Sequence, residues 1–236
     1  MTMQANEGKA LVSEIDGVAY ERLPIRTRVV YAQDDLHEII RTYAKPVVEP
    51  GDILFVTEKI VAITQGRSCL VSEITPRPLA TFLSKFVVKT PYGIGLGMPE
   101  TMEMALRECG TPRILLAAGV AAVSKKLLRR SGDFYRIAGE KARAIDGPTE
   151  GTIPPYDESV VLGPKDPMRV AHAVKALLGG TADVLIVDIN DIGGNILGTT
   201  LDPARNEHFV RVLKDNPLGQ GAQSTPMGII REVKRA

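Results

Sequence analysis

The chain is predicted to fold as a mixed α/β (α+β) protein, with mixed sheets against which helices pack, residues 1–236 forming a single domain. Three observations predict this. Two short, continuous apolar runs, Ile53–Val56 and Val184–Asp188, are bounded by turn residues, as buried strands are. Two segments with helical periodicity, Pro99–Cys109 and Pro167–Leu178, each begin on proline and end before glycine. A strand candidate at Ser159–Leu162 precedes the second helix and Val184–Asp188 follows it, an order that favours a parallel or mixed arrangement.

In chain order, residues 1–20 are weakly patterned, with Gly17–Tyr20 a short strand candidate. Leu23-Pro24-Ile25 precedes a further strand candidate, Arg28–Tyr31. Asp34 is placed to cap a helix over Asp35–Lys45, where Leu36, Ile39, Ile40 and Tyr43 share a face and His37 lies off it. Pro50-Gly51-Asp52 turns the chain into Ile53–Val56, after which Thr57, Lys59 and Gly66-Arg67 follow. Pro76–Phe86 is predicted helical, with Leu79, Phe82, Leu83 and Phe86 on one face. The alternating glycines of Thr90–Pro99 lack both the Walker pattern and the dinucleotide fingerprint, and read as a loop into the helix Pro99–Cys109. Met102, Ala105, Leu106 and Cys109 line the buried side of that helix.

Arg113–Ala118 is a strand candidate, and Gly119–Arg130 a helix of small residues ending in Lys125, Lys126, Arg129 and Arg130. That basic run suits a solvated helix end or an anionic substrate. Short elements at Phe134–Ala138 and Glu140–Arg143 lead to Asp146-Gly147-Pro148. Asp166 is placed to cap the helix at 167–178, with His172 beside its apolar face. After Val184–Asp188 a turn-rich loop carries Asn190, Asp191, Gly193, Gly194 and Asn195. Asp202 caps a helix over Pro203–Leu213, and Met227–Val233 closes the chain as a strand.

Composition removes several function classes. Hydrophobic residues make up 44% and the formal net charge is +1, so no basic footprint marks a nucleic-acid partner. No apolar run approaches the ~20 residues needed to span a bilayer, so no membrane partner is expected. The stretch MTMQANEGKA is polar, without the apolar core of a signal peptide. A cytoplasmic protein is expected, with Cys69 and Cys109 as reduced thiols.

The chemistry-bearing residues are acids, one lysine and an amide-rich loop. Asp146 and Asp188 end apolar segments, and Asp191 lies close by, which suits magnesium or manganese. Lys59 follows a strand and can meet a phosphate as a point charge; a surface lysine at a strand end is the competing reading. The loop Asn216–Pro226 is rich in amides and hydroxyls that can bond a purine edge or phosphate oxygens. Together these fit nucleoside triphosphate chemistry, while acids in loops also serve simply as turn formers. No Ser-His-Asp or Cys-His arrangement competes, and only His37, His172 and His208 are present.

The ordered segments Leu23-Pro24-Ile25, Gly51–Arg67, Ala144–Pro148, Leu162–Pro167, Val184–Gly194 and Gly219–Arg231 resemble the coenzyme F420-0:γ-glutamyl ligase family. The resemblance implies a GTP-dependent, divalent-metal-dependent ligase that joins L-glutamate to F420-0 by an amide bond of the γ-glutamyl type. It also implies an intertwined homodimer. By the same resemblance, Leu23, Pro24 and Ile25 belong to the guanine-nucleotide site, and Thr57 and Lys59 contact phosphate. Gly219, Gln220, Gly221, Ala222, Gln223, Ser224 and Thr225 form the loop over the nucleotide. Asp146 and Asp188 are the metal acids, with Asp191 beside them, and Lys59 is the catalytic cation. Two positions depart from the family pattern: Gly147-Pro148-Thr149 follows Asp146 where a serine-asparagine pair is usual, and Ile189 follows Asp188 where threonine is usual. These departures leave open another carboxylate acceptor or a non-catalytic nucleotide-binding module on the same scaffold, and Asp188 and Asp191 alone would also suit a metal-dependent phosphohydrolase.

Overall fold

A tight turn starts the first sheet. Asp16 and Gly17 both adopt positive φ, 53° and 79°, as a two-residue hairpin turn requires. They join β1 (Val12–Ile15) to β2 (Val18–Ile25). The computed structural model describes residues 3–87, 95–128 (side chains to 125), 132–149, 151–191, 193–219 and 221–233. The chain divides into two compact units, the first built from Met1–Gly66 and Pro164–Ala236, the second from Arg67–Gly163.

In the first unit, Leu23-Pro24-Ile25 is the end of β2 itself and not a lead into a strand at Arg28–Tyr31. That segment is irregular because Asp34 folds it locally, accepting the Tyr31 N–H at 2.7 Å and a bidentate pair from Arg28. Asp34 is therefore not the helix cap. Asp35 takes that role, accepting the His37 N–H at 2.8 Å, and opens α1 (Leu36–Ile39), which continues as a π-helical turn over Ile40–Ala44. Leu36, Ile39 and Ile40 are buried as expected, and His37 is exposed. β3 (Ile53–Thr57) is buried on both faces up to Val56 and runs directly into α2 (Glu58–Thr64).

The second unit carries β4 (Ser68–Leu70) and then five α-helices among the described residues: α3 (Pro78–Ser84), α4 (Pro99–Cys109), α5 (Thr111–Leu128), α6 (Asp133–Ala138) and α7 (Glu140–Arg143). β5 (Ser159–Val161) closes it by pairing antiparallel with β4. Leu83, Leu96, Met102, Leu106, Ile114, Ile145 and Val160 anchor its core. Two expectations fail here. The α3 face buries Ala80 and Leu83, whereas Phe82 and Phe86 are 57% and 68% exposed and meet edge-on at 5.0 Å. The helix stops at Ser84, so helical spacing no longer governs Phe86. The strand predicted at Arg113–Ala118 is the first part of α5. A continuous apolar run without alternation does not distinguish strand from helix, and the alanines here favour the helix. Lys125 on α5 is exposed; Lys126–Arg130 lie outside the described side chains, as do Thr90–Ile94 of the glycine loop. Cys69 and Cys109 are free and packed against this core.

The chain then re-enters the first unit with α8 (Pro167–Leu177), β6 (Asp183–Asn190), β7 (Gly193–Thr199), α9 (Asn206–Val212) and β8 (Met227–Glu232). Asp166 precedes α8, as expected, but in left-handed backbone and without a side-chain cap bond. Asp202 does cap, accepting the Ala204 N–H at 2.9 Å, but what it opens is a 3-10 turn, Pro203–Arg205, and α9 follows from Asn206 without a side-chain cap bond of its own. The six strands run β1-β2-β8-β3-β6-β7, antiparallel except for the β3–β6 pair. So β6 does have a parallel neighbour, but it is β3; β5 lies in the small sheet of the second unit. The acidic stretch is also corrected. β6 does not stop at Asp188 but runs to Asn190 and returns as β7, so Asp188 sits opposite Asn195 within a hairpin. Tyr20, Phe55, Leu185, Val187, Phe209, Leu213 and Ile230 form the main core of this unit.

Candidate functional site

One end of the six-stranded sheet gathers most of the residues singled out from the sequence. β8 enters there between β2 and β3, with Met227 opposite both Ile25 and Val56. Pro24 is tolerated in β2 because β1 pairs only as far as Glu21, so its missing N–H falls where only β8 is bonded. Leu23 and Ile25 are buried, 7% and 4% exposed, so their side chains belong to the packing. Thr57 ends β3 and fastens it to the segment before β8: its N–H and its Oγ1 both donate to the Pro226 carbonyl at 3.0 Å. Lys59 follows on the first turn of α2, partly buried. Thr57 is also the last β3 residue in register with β6, opposite Val187, which puts Asp188 one step beyond on the same sheet end. The carboxyl ends of adjacent parallel strands are where open α/β sheets bind ligands.

The loop from Gly219 to Pro226 is folded over itself. Its Ser224 carbonyl accepts the Thr27 N–H at 2.9 Å, tying it to the residue just past β2. The Gln223 amide lies over Gly219 and Gly221, so close that a Cβ at either would come within 3.1–3.2 Å of it. Among the described residues the Gln223 Oε1 and the Asn216 Nδ2 are buried without a hydrogen-bond partner. Buried polar groups are nearly always bonded, so an acceptor and a donor left unsatisfied in one loop need a partner to complete them. Gln220 lies outside the described residues.

The acids are placed differently from one another. Asp188 is a partly buried strand residue. Asp191, at the hairpin tip, accepts a hydrogen bond from Lys9 Nζ at 2.7 Å. Asp146 belongs to the second unit, where its backbone bridges Val161 in both directions, at 2.8 and 2.9 Å. Among the described residues no group of three or more His, Cys, Asp or Glu side chains is gathered as a metal cluster. Magnesium is commonly held by one or two carboxylates together with substrate phosphates, and the Asp188 carboxylate at the sheet end is a hard oxygen donor of that kind. Of the histidines, His37 and His172 are exposed, and His208 meets the Tyr20 hydroxyl at 3.0 Å towards the other end of β2.

Sequence reasoning missed the N-terminal segment. Asn6, only 8% exposed, donates from Nδ2 to the Leu218 carbonyl and the Thr225 Oγ1, both at 2.8 Å, and to the Pro217 carbonyl at 3.3 Å. Lys9 reaches the Asp215 carbonyl at 2.9 Å as well as Asp191. A lone asparagine in an unpatterned stretch carries no local signal of such contacts.

A model of the F420-0:gamma-glutamyl ligase family matches residues 24–197. The chain belongs to that family, and with it to the ligases, which act on small-molecule substrates. No individually curated protein matches it. Among the described residues no helix is long and apolar enough to cross a membrane.

Proposed function

We propose that this chain is a GTP- and divalent-metal-dependent ligase that forms a γ-glutamyl-type amide bond between L-glutamate and F420-0 or a related carboxylate. Residues 1–236 serve as one ligase domain, in a cytoplasmic homodimer. The observation that carries the nucleotide half of this reading is the loop at the sheet end, with the buried, unpartnered Gln223 Oε1 inside it. A guanine edge presents N–H donors, and an orphaned acceptor held in a glycine-spaced loop answers them.

In this reading the acceptor carboxylate attacks the γ-phosphorus of GTP and GDP leaves. The amine of L-glutamate then attacks the acyl phosphate carbon, phosphate departs and the amine loses its proton. The Lys59 ammonium, fixed on the first turn of α2, stabilises charge developing on the phosphoryl oxygens. The Thr57 hydroxyl donates to Pro226 and so holds the loop against the strand end that presents the lysine. The loop orients the base and screens the reacting phosphate from water. Asp188, with Asp191 beside it, is the acid of the first unit that would hold magnesium or manganese, and the resemblance gives Asp146 of the second unit the same role; the ion would supply charge neutralisation at the phosphates.

Calorimetry with GDP and Mn2+, followed by turnover with GTP, L-glutamate and F420-0, tests the reading. Expected are metal-dependent binding, its loss in Asp188→Asn, a weaker base contact in Gln223→Ala, and amide formation that Lys59→Met abolishes. Absence of metal-dependent GDP or GTP binding by the intact chain would sink it. Binding without turnover would point to a non-catalytic module, and phosphate release without an acceptor to a phosphohydrolase.

A further inference from the structure

The N-terminal segment, outside the matched span of residues 24–197, is fastened to the proposed nucleotide loop through several independent bonds. Asn6 is buried and its single amide group serves three acceptors of the later loop: two backbone carbonyls, Pro217 and Leu218, and the Thr225 hydroxyl. Thr225 Oγ1 in turn donates to the Leu218 carbonyl at 2.9 Å, which closes a small ring of hydrogen bonds around a 211- to 219-residue separation in sequence. Further along, Lys9 bonds the Asp215 carbonyl and the Asp191 carboxylate, and the Ala10 carbonyl accepts from the buried Arg22 guanidinium at 2.7 Å.

The loop needs such support. Asn216 and Ser224 both hold positive φ, 49° and 52°, which costs energy for residues with a Cβ and persists only where neighbours impose it. The Ser224 carbonyl is pinned to Thr27, and the adjacent Thr225 hydroxyl to Asn6. The two anchors act on consecutive residues, next to the Pro226 carbonyl that Thr57 grips.

We propose that Asn6 is a positioning residue, and that the segment from Asn6 to Ala10 is a strap that sets the conformation of the Gln223–Thr225 part of the loop and thereby the affinity of the site for a guanine nucleotide. This rests on the nucleotide reading above. Asn6 touches no reacting atom in it; it acts through Thr225 and the Leu218 carbonyl. Releasing the strap leaves the strands of the sheet paired but lets Ser224 and Asn216 relax out of positive φ, which turns the Gln223 amide away from the base.

The test uses the full chain with GDP and Mn2+ as the probe, alongside amide hydrogen exchange. Asn6→Ala is expected to weaken GDP binding about tenfold, a difference of ~1.4 kcal/mol. It is expected to speed exchange at Gly221–Thr225 while strands β3 and β6 exchange as before. In turnover, KM for GTP rises and KM for L-glutamate stays constant; a purely structural defect would lower the active fraction and leave both KM values alone. Thr225→Val, which removes the acceptor from the other side, is expected to behave likewise, and the double variant to lose less than the sum of the two single losses, since both remove the Asn6–Thr225 bond. It also serves if Asn6→Ala fails to fold. Unchanged GDP affinity in both single variants, or fully additive losses in the double variant, would overturn the proposal. If the wild-type chain binds no GDP, the nucleotide reading fails, and unchanged loop exchange in Asn6→Ala would then separately overturn the strap.

Discussion

Glu103 offers a measurement that isolates one buried charge. Its side chain is 2% exposed on α4, yet it accepts the Arg77 backbone N–H at 3.1 Å, the Arg77 Nε–H at 2.9 Å and the Arg107 Nε–H at 2.7 Å. Burial pushes the carboxyl up, and the hydrogen bonds from Arg77 and Arg107 outweigh that and hold it below the ordinary glutamate range. Glu103→Gln keeps the shape and one acceptor but turns an N–H towards a donor. Each charge-assisted bond is worth ~1.5–3 kcal/mol, but the two guanidinium groups are about half exposed and return to water when released. A net loss of about 2 kcal/mol at pH 7 follows, which lowers Tm by roughly 4–8 °C for a chain of this size. Because the folded-state pKa is depressed, the carboxylate's contribution is complete above the unfolded-state pKa and fades as pH falls through the folded value. Far-UV circular dichroism of thermal unfolding from pH 7 to pH 3 reads this, since tryptophan is absent. The gap between wild type and Glu103→Gln should narrow towards acid. A gap that stays constant with pH, or none at pH 7, would refute the electrostatic account.

Three further outcomes are expected. Gly198→Ala should destabilise the first unit by about 1–3 kcal/mol in urea unfolding, as overpacking does, because a Cβ there would fall 2.4 Å from the Pro167 carbonyl oxygen at the start of α8; wild-type stability would mean that α8 shifts freely. Asp52→Asn should cost about 3 kcal/mol, the usual consequence of breaking a buried pair, since Asp52 is 3% exposed and takes two bonds from Arg231 and one from the Glu49 N–H; a change within 0.5 kcal/mol, roughly the spread of surface substitutions, would contradict it. Burial pushes the Cys109 thiol up, so mass-resolved alkylation at pH 8 should label Cys109 slowly until urea is added; rapid labelling in the native protein would show that the α4 end opens.

Where local signals were strong, the sequence was legible. Pro99 and Gly110 bracket α4 as expected, Pro203 follows a capping Asp202, and the run Ile53–Val56 is a buried strand. The failures share a cause. Arg28–Tyr31 has strand propensity, but Asp34 captures its backbone; the 113–118 run is apolar enough for either element, and only its continuation through Gly119 as one helix decides. At the candidate site, residue types and their order were readable, but their company was not. Thr57 meeting Pro226, and Asp188 lying in a hairpin beside the end of β3, depend on strand pairing between distant segments.

By itself the sequence determined the mixed α/β class, several element boundaries marked by proline and glycine, and the ligase family to which the chain belongs. These are local properties, written in periodicity and side-chain type. Only the tertiary structure decided that β6 pairs with β3, that the acidic stretch is a hairpin, that Lys9 holds Asp191, and that Asn6 reaches across to Thr225. Those contacts join residues far apart in the chain. Their formation is governed by sheet register and burial, which no single segment encodes.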